Sequence, residues 1–341
     1  MDFTLSFIWY LVIGIAIIFY VALDGFDLGT GMLHLFTKTD RDRRIFLNAI
    51  GPVWDGNEVW LVIVAGGLLA GFPPVYATLL SGFYNLIMIF LCGLIFRAVA
   101  IEFRSKQTSL LWRKVWDITF SVASFMIGFI LGLELGNLIQ GVPLDQEGNF
   151  IGSFGLFFRP YPILIGLFTT TLFIMHGSIY LTMKTEGVLH EKLRIWVKRC
   201  ILLFVITYFI TTLSTWMFMP HMVERIKEYR WLSLVPVAAL LAILNVPRLF
   251  SLKKDFQAFL FSCLGIILML VVFGIGTFPN LVRSLREPDF LSLNFLNSSG
   301  SELNLTVLLI IVAIGLPFVF CYSAMIYRVF RGKVKIESSS Y

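Results

Sequence analysis

The feature that most constrains this 341-residue chain is a succession of apolar stretches, each near twenty residues or longer, that follow one another almost without pause. Crossing the ~30 Å hydrocarbon layer of a bilayer takes roughly 20 mostly apolar residues in a helix. Within that layer each backbone N–H and C=O must be bonded inside its own segment, so such stretches can only be helices. They lie at about 7 to 35, 50 to 71, 74 to 102, 115 to 139, 159 to 183, 199 to 219, 231 to 249, 257 to 280 and 304 to 330. The sequence therefore predicts an all-α polytopic membrane protein with about nine transmembrane helices, residues 1–341 forming a single integral membrane domain. Only Phe72, Pro73 and Pro74 separate the second and third spans, which makes that pair a tight helical hairpin. The opening residues MDFTLS carry an acid and no basic segment, so they begin an uncleaved first span rather than a signal peptide.

With 58% hydrophobic and 14% charged residues, a soluble domain is excluded. In a soluble protein the formal charge of +6 would suggest nucleic acid; here the basic residues mark membrane topology, and no nucleic-acid partner is expected. The segments TKTDRDRR, RSKQTSLLWRK, KTEGVLHEKLRIWVKR, NVPRLFSLKKD and YRVFRGKVK hold 20 of the 27 Lys and Arg; the alternate connections hold six. By the positive-inside rule the N-terminus is outside and the C-terminus cytoplasmic. Cys92, Cys200, Cys263 and Cys321 are far apart inside apolar runs and form no metal, haem-attachment or disulfide pattern.

Against this background the charges inside the spans stand out. LDGFDLG places Asp24 and Asp27 in the first span, GPVWDGNEVW places Asp55 and Glu58 at the start of the second, and Arg97 lies near the inner end of the third. At ~1.5 Å rise per residue, Asp24 is roughly 25 Å from the outer end of its helix, in the cytoplasmic half. The second span runs the opposite way, so Asp55, Glu58 and Arg97 reach the same level, with Glu102 and Asp117 nearer the inner boundary. Each acid pair is spaced i, i+3, on one helix face. A charge at mid-bilayer costs at least ~2.5–3.5 kcal/mol, so several in neighbouring spans are not accidental. Taken singly, Asp27 or Glu102 reads as well as a cap or a snorkelling group, Arg97 as half of a structural ion pair, and Asp55 and Glu58 as dipole-favoured caps. Taken together, acids in excess over one arginine favour a proton-conducting role.

Glu134, three residues before Asn137 in the outer half of the fourth span, reads as an interfacial residue, with an exit-side proton group or a partner contact as alternatives. The histidines His34, His176, His190 and His221 form no pair at helical spacing, and intramembrane His176 reads as hydrogen-bonded within the bundle rather than as a ligand. No P-loop, nucleophile motif or metal box is present, so no catalytic residue and no metal site is expected in this chain.

LDGFDLGTGML and GPVWDGNEVWL, together with FPPVYATLLSGFYNLIMIFLCGLIFRAVAIEFRSK, WRKVWD and GNLIQGVPL, closely resemble subunit 2 of the cytochrome bd-type quinol oxidases, including the cyanide-insensitive branch. HGSIYLTMKTEGVLH fits more loosely, and the resemblance extends over essentially the whole chain. It implies two four-helix bundles plus one peripheral helix, and a pseudo-symmetric heterodimer with a larger subunit 1 that carries two b haems and haem d and oxidises quinol. It implies a bacterial cytoplasmic membrane and an electrogenic reduction of O2 to water, without independent catalysis by this chain. It also implies that Asp55 passes cytoplasmic protons toward the partner's oxygen-reducing haem, with Glu58, Asp24 and Asp27 as neighbours and Arg97 as their charge partner. In some members a structural quinone lies near the residues matching Trp54 and Arg97, a place a lipid could equally take, and small accessory subunits occur. Glu58 stands where many members have Gln, and the resemblance assigns it no role. Two other readings remain open at this point: a stand-alone proton-coupled secondary transporter, which also uses intramembrane acids, and a purely structural scaffold.

Overall fold

The computed structural model describes residues 3–336, so the domain expected over 1–341 extends past the described residues at both ends. The helices are α1 (Phe3–His34), α2 (Asp40–Ile50), α3 (Trp54–Gly71), α4 (Pro73–Gly82), α5 (Tyr84–Phe103), α6 (Leu110–Gln140), α7 (Pro160–Lys184), α8 (Gly187–Phe218), α9 (Pro220–Glu228), α10 (Leu234–Leu244), α11 (Val246–Ser251), α12 (Asp255–Thr277), α13 (Pro288–Leu291) and α14 (Glu302–Val329). Among the described residues eight helical segments are long and apolar enough to span a membrane, nine if α2 and α3 count as one bent span. The protein is thus an all-α polytopic membrane protein. Helices α1, α3, α5 and α6 pack as one group and α7, α8, α10 and α12 as a second, joined by extensive packing of α6 and α1 on α7, while α14 packs against the flank of α3 and α1. Only 6% of the most apolar stretch of α14 is buried.

Two expected spans, the third and the seventh, are interrupted, and the second, which is α3, is preceded by an extra helix. That helix is amphipathic α2, started by the Thr39 hydroxyl accepting the Asp42 N–H at 3.1 Å, with Asp40 and Asp42 at the positive end of its dipole. It stops at Gly51 and Pro52, because proline has no N–H and clashes with the preceding turn, and α3 continues at an angle of 47°. The third is broken at Phe83, where Gly82 is crowded by Phe150 from an outer connection. The seventh is broken at Asn245, two residues before Pro247. The sixth starts at Gly187 rather than 199, because the charged segment before the apolar run is helical too.

The two groups meet where α6 and α1 pack on α7. A Cβ on Gly29 would collide with the Phe173 carbonyl, and one on Gly177 with the backbone of Gly29. Close backbone approach at small residues is how helices associate where lipid removes the hydrophobic drive. The two long connections after α6 and α12 hydrogen-bond to each other, Val142 N–H to the Arg283 carbonyl at 3.0 Å and Leu285 N–H to the Val142 carbonyl at 2.9 Å. Beside them β1 (Asn280–Val282) pairs antiparallel with β2 (Leu293–Asn294). At the opposite, basic end the Val334 N–H donates to the Lys184 carbonyl at 2.8 Å, tying the last described residues to α7.

Candidate functional site

Asp24 and Asp27 occupy successive turns of α1 and are fully buried, as is Arg97 on α5. Arg97 grips Asp24 with both terminal nitrogens, Nη1 to Oδ2 at 3.0 Å and Nη2 to Oδ1 at 2.5 Å. This bidentate fork is the geometry in which a guanidinium holds a carboxylate best. Glu58 approaches from the first turns of α3, its Oε1 3.1 Å from Arg97 Nη2 but not aligned for a hydrogen bond, and its side chain is 22% exposed. Two carboxylates therefore meet one guanidinium, which can neutralise one of them, and Asp27 lies one turn further along α1.

Asp27 has no cation in contact. Its Oδ2 accepts from Asn57 Nδ2 at 2.7 Å, and its Oδ1 is buried without a partner. Asn57 is itself fixed from the far side, where the Tyr327 hydroxyl of α14 donates to Asn57 Oδ1 at 2.9 Å. The Tyr20 hydroxyl, one turn before Asp24, and the Trp60 indole N–H are also buried without protein partners. Polar atoms enclosed in this way normally receive water or a mobile proton.

Asp55, expected to share this cluster, lies outside it on the exposed flank of α3. Each helical residue turns the chain by about 100°, so Asp55 and Asn57 point nearly opposite ways while Glu58 sits at the boundary. Trp54 is buried with Phe46, Leu47, Ile50 and Val53. Asp55 lies in the first turn of α3, where the helix dipole favours a carboxylate, while the N-cap position itself is Val53 and makes no side-chain capping bond. The terminal nitrogens of Arg97 are engaged by Asp24, and its Nε is enclosed without a partner.

Asp117 lies at the basic end in a second network. It accepts from His34 Nε2 at 2.6 Å, Arg43 Nη1 at 2.7 Å and Arg104 Nε at 2.5 Å. Arg104 and Arg113 both reach Asp40, at 2.7 and 3.1 Å. His176 is saturated, Nδ1 by the Ser262 hydroxyl at 2.8 Å and Nε2 by the Ala22 carbonyl at 2.9 Å, which leaves no nitrogen for a haem iron. Among the described residues no three His, Cys, Asp or Glu come together as metal ligands. Glu134 is half-buried with an unpartnered Oε1, and Asn137 bonds the Leu133 and Phe157 carbonyls and Arg159 instead. The sequence reading passes over Asn57 and Tyr327. The first is detectable as an amide set between two acids inside a span, whereas the second gives no signal beyond a tyrosine near a span end.

The model of a family described as cytochrome bd terminal oxidase subunit II matches residues 5–330. The chain is 31% identical over 366 residues to cytochrome bd-I ubiquinol oxidase subunit 2 of Escherichia coli K12, covering 98% of this chain and 96% of that one. It is 33% identical over 331 residues to cytochrome bd ubiquinol oxidase subunit 2 of Bacillus subtilis, covering 96% of each. Its fold is similar to a chain of the bd oxidase from Geobacillus thermodenitrificans, with a TM-score of 0.80 at 18% identity, over 96% of this chain and 98% of that one.

Proposed function

The chain belongs to the cytochrome bd terminal oxidase subunit II family, and from that premise we propose that it carries protons through the Asp27, Glu58 and Asp55 carboxylates, with Asp24 held beside them by Arg97, to the partner that reduces oxygen. It is a subunit of a quinol:O2 oxidoreductase of the bacterial respiratory chain, sits in the inner membrane and works with a subunit 1. The finer points are part of the proposal: a heterodimer joined in some cases by small accessory subunits, the N-terminus outside, and the C-terminus in the cytoplasm. The haems, two of type b and one of type d in subunit 1, would supply the electron transfer and oxygen chemistry. The residues of this chain supply none of it, and the saturated nitrogens of His176 accord with that division.

The observation that carries the reading is a surplus of buried carboxylates around one guanidinium, with Asp27 Oδ1 lacking any partner. Intramembrane acids without matching cations are a recurrent element of proton relays. Arg97 keeps Asp24 as a fixed carboxylate. Asp27 and Glu58 are then the groups able to gain and lose protons, at Oδ1 and Oε1. Asp55, exposed on α3, is the acid from which a proton could leave this chain for a neighbouring subunit. Electrons taken from quinol on one side and protons taken from the cytoplasm would make the reaction electrogenic without a pump.

Replacing Asp55 with Asn in the assembled oxidase tests the reading. It expects quinol-driven O2 consumption to fall at least about tenfold with haem content unchanged, in the ~10²–10⁴-fold range of proton-transfer groups or just below it. Unchanged turnover in a fully haem-loaded complex would leave the chain a scaffold and sink the relay through Asp55.

A further inference from the structure

We propose that Asn57 and Tyr327 are positioning residues that hold the Asp27 carboxylate in register with its protonation state, and so tie the peripheral helix α14 to the proton-sharing cluster. The inference rests on the proton-handling reading above and names residues which that reading does not include.

The geometry is a directed chain of two bonds. The Tyr327 hydroxyl donates to Asn57 Oδ1 at 2.9 Å, and Asn57 Nδ2 donates to Asp27 Oδ2 at 2.7 Å. An ionised carboxylate only accepts, a primary amide has one accepting and one donating end, and a phenol does either. With Asp27 ionised, the arrangement found pairs all three groups along the chain, Asp27 through its Oδ2. With Asp27 protonated on the oxygen facing Asn57, the amide can turn over, accepting from Asp27 through its oxygen and donating to the Tyr327 oxygen through its nitrogen, at the cost of the long 3.4 Å bond from Nδ2 to the Leu23 carbonyl. Asn57 is buried, so neither end of its amide can go unbonded cheaply, and its orientation follows the proton on Asp27. Tyr327 completes both arrangements by switching between donor and acceptor, which phenylalanine cannot do.

The same chain bears on how α14 is held. At the outer end α14 and its leading residues are attached by backbone-directed bonds: Trp9 Nε1 to the Leu305 carbonyl at 2.9 Å, Asn304 Nδ2 to the Ala70 carbonyl at 2.7 Å, and Gly300 N–H to the Gly71 carbonyl at 2.8 Å. Those bonds do not depend on a titrating group. At the basic end the attachment to α3 runs through Tyr327 and Asn57, and so ends on Asp27. A weakly buried helix thereby acquires a contact whose hydrogen-bond direction depends on a carboxylate two helices away.

The test uses the purified, haem-loaded oxidase carrying Tyr327→Phe, Asp27→Asn or both, with Asn57→Ser read alongside. Tyr327→Phe is expected to slow quinol-driven O2 consumption about two- to tenfold, the effect of one net hydrogen bond on a rate. It should also move the pH of half-maximal turnover, a readout that loss of packing alone would not shift. Asn57→Ser, too short to bridge the two groups, should move the pH profile the same way. In the Asp27→Asn background Tyr327→Phe should add nothing further, because both act through one carboxylate. Full multiplication of the two effects, or a pH profile unmoved in both Tyr327→Phe and Asn57→Ser, overturns the inference. Normal turnover in Asp27→Asn would instead remove Asp27 from the proton reading itself; slow Asp27→Asn beside wild-type-like Tyr327→Phe removes only the positioning role.

Discussion

Arg97 and Asp24 form a bidentate pair, at 2.5 and 3.0 Å, in which both side chains are wholly enclosed by protein. Such a pair is far more costly to break than its net contribution suggests, because the survivor is left as an isolated charge out of water. Arg97→Gln is therefore expected to destabilise the chain by about 3–5 kcal/mol. The measurement is the yield and thermal stability of haem-loaded complex from membranes. Adding Asp24→Asn to that variant should recover part of the loss, since neither charge then remains. A double variant no better than Arg97→Gln alone would mean that Asp24 is not the group Arg97 compensates.

Glu58 differs from Asp24 in every respect that matters. It lies 3.1 Å from Arg97 without hydrogen-bond alignment and is partly exposed. A partly solvated, poorly aligned pair is worth roughly 0.2–1 kcal/mol. Glu58→Gln, which keeps the shape, should thus leave the thermal stability of the haem-loaded complex within about 1 kcal/mol of wild type, while quinol-driven O2 consumption falls at least about tenfold, as for loss of a proton-transfer group. Unchanged turnover would remove Glu58 from the proton path.

Much of this site is legible in the sequence because depth in a membrane is counted in fixed steps. A rise of ~1.5 Å per residue places Asp24, Asp27, Glu58 and Arg97 at one level with no knowledge of the fold. Rotation about a helix axis is less accessible. α3 restarts after the Gly51–Pro52 break at an angle of 47°, so its azimuth is not inherited from α2, and the residue turned inward is Asn57 rather than Asp55. Tyr327 is hidden for a different reason: a tyrosine near a span end reads as an interfacial anchor, and its partner is 270 residues away. The start of α8 at Gly187 is missed because hydropathy marks the lipid-crossing part of a helix and not its polar extension.

The Asp117 network likewise joins groups that no local pattern connects. One buried carboxylate receives His34 from the end of α1, Arg43 from α2 and Arg104 from the turn after α5. It fixes the basic end of α2, the segment that delivers the chain to the bend before Asp55. Asp117→Asn leaves two arginines and a histidine around a neutral group and is expected to cost about 3 kcal/mol. The check is the temperature at which the purified complex loses its haem spectrum, which should fall, with turnover at low temperature largely kept. Loss of turnover at unchanged thermal stability would give Asp117 a part in proton delivery rather than in holding α2.

His221, on the short helix α9 outside the spans, offers a pH test that does not touch the proton cluster. Its Nε2 is 2.9 Å from the Ile139 carbonyl and donates to it in the neutral ring. Burial first, and the positive charge of Arg283 second, hold its pKa below the ordinary histidine value, against smaller opposing effects of the Ile139 carbonyl and Glu224. The folded chain therefore takes up this proton at lower pH than the unfolded chain does. Between the two pKa values the unfolded state binds more protons, so stability rises with pH across that window and is fully present above the unfolded value. Acidification through and below neutrality should lower the thermal stability of the wild-type complex more than that of His221→Gln, which retains an N–H for Ile139 but cannot be protonated. Parallel stability–pH curves for the two proteins would show that His221 is not held neutral by its place between the end of α6 and the connection after α12.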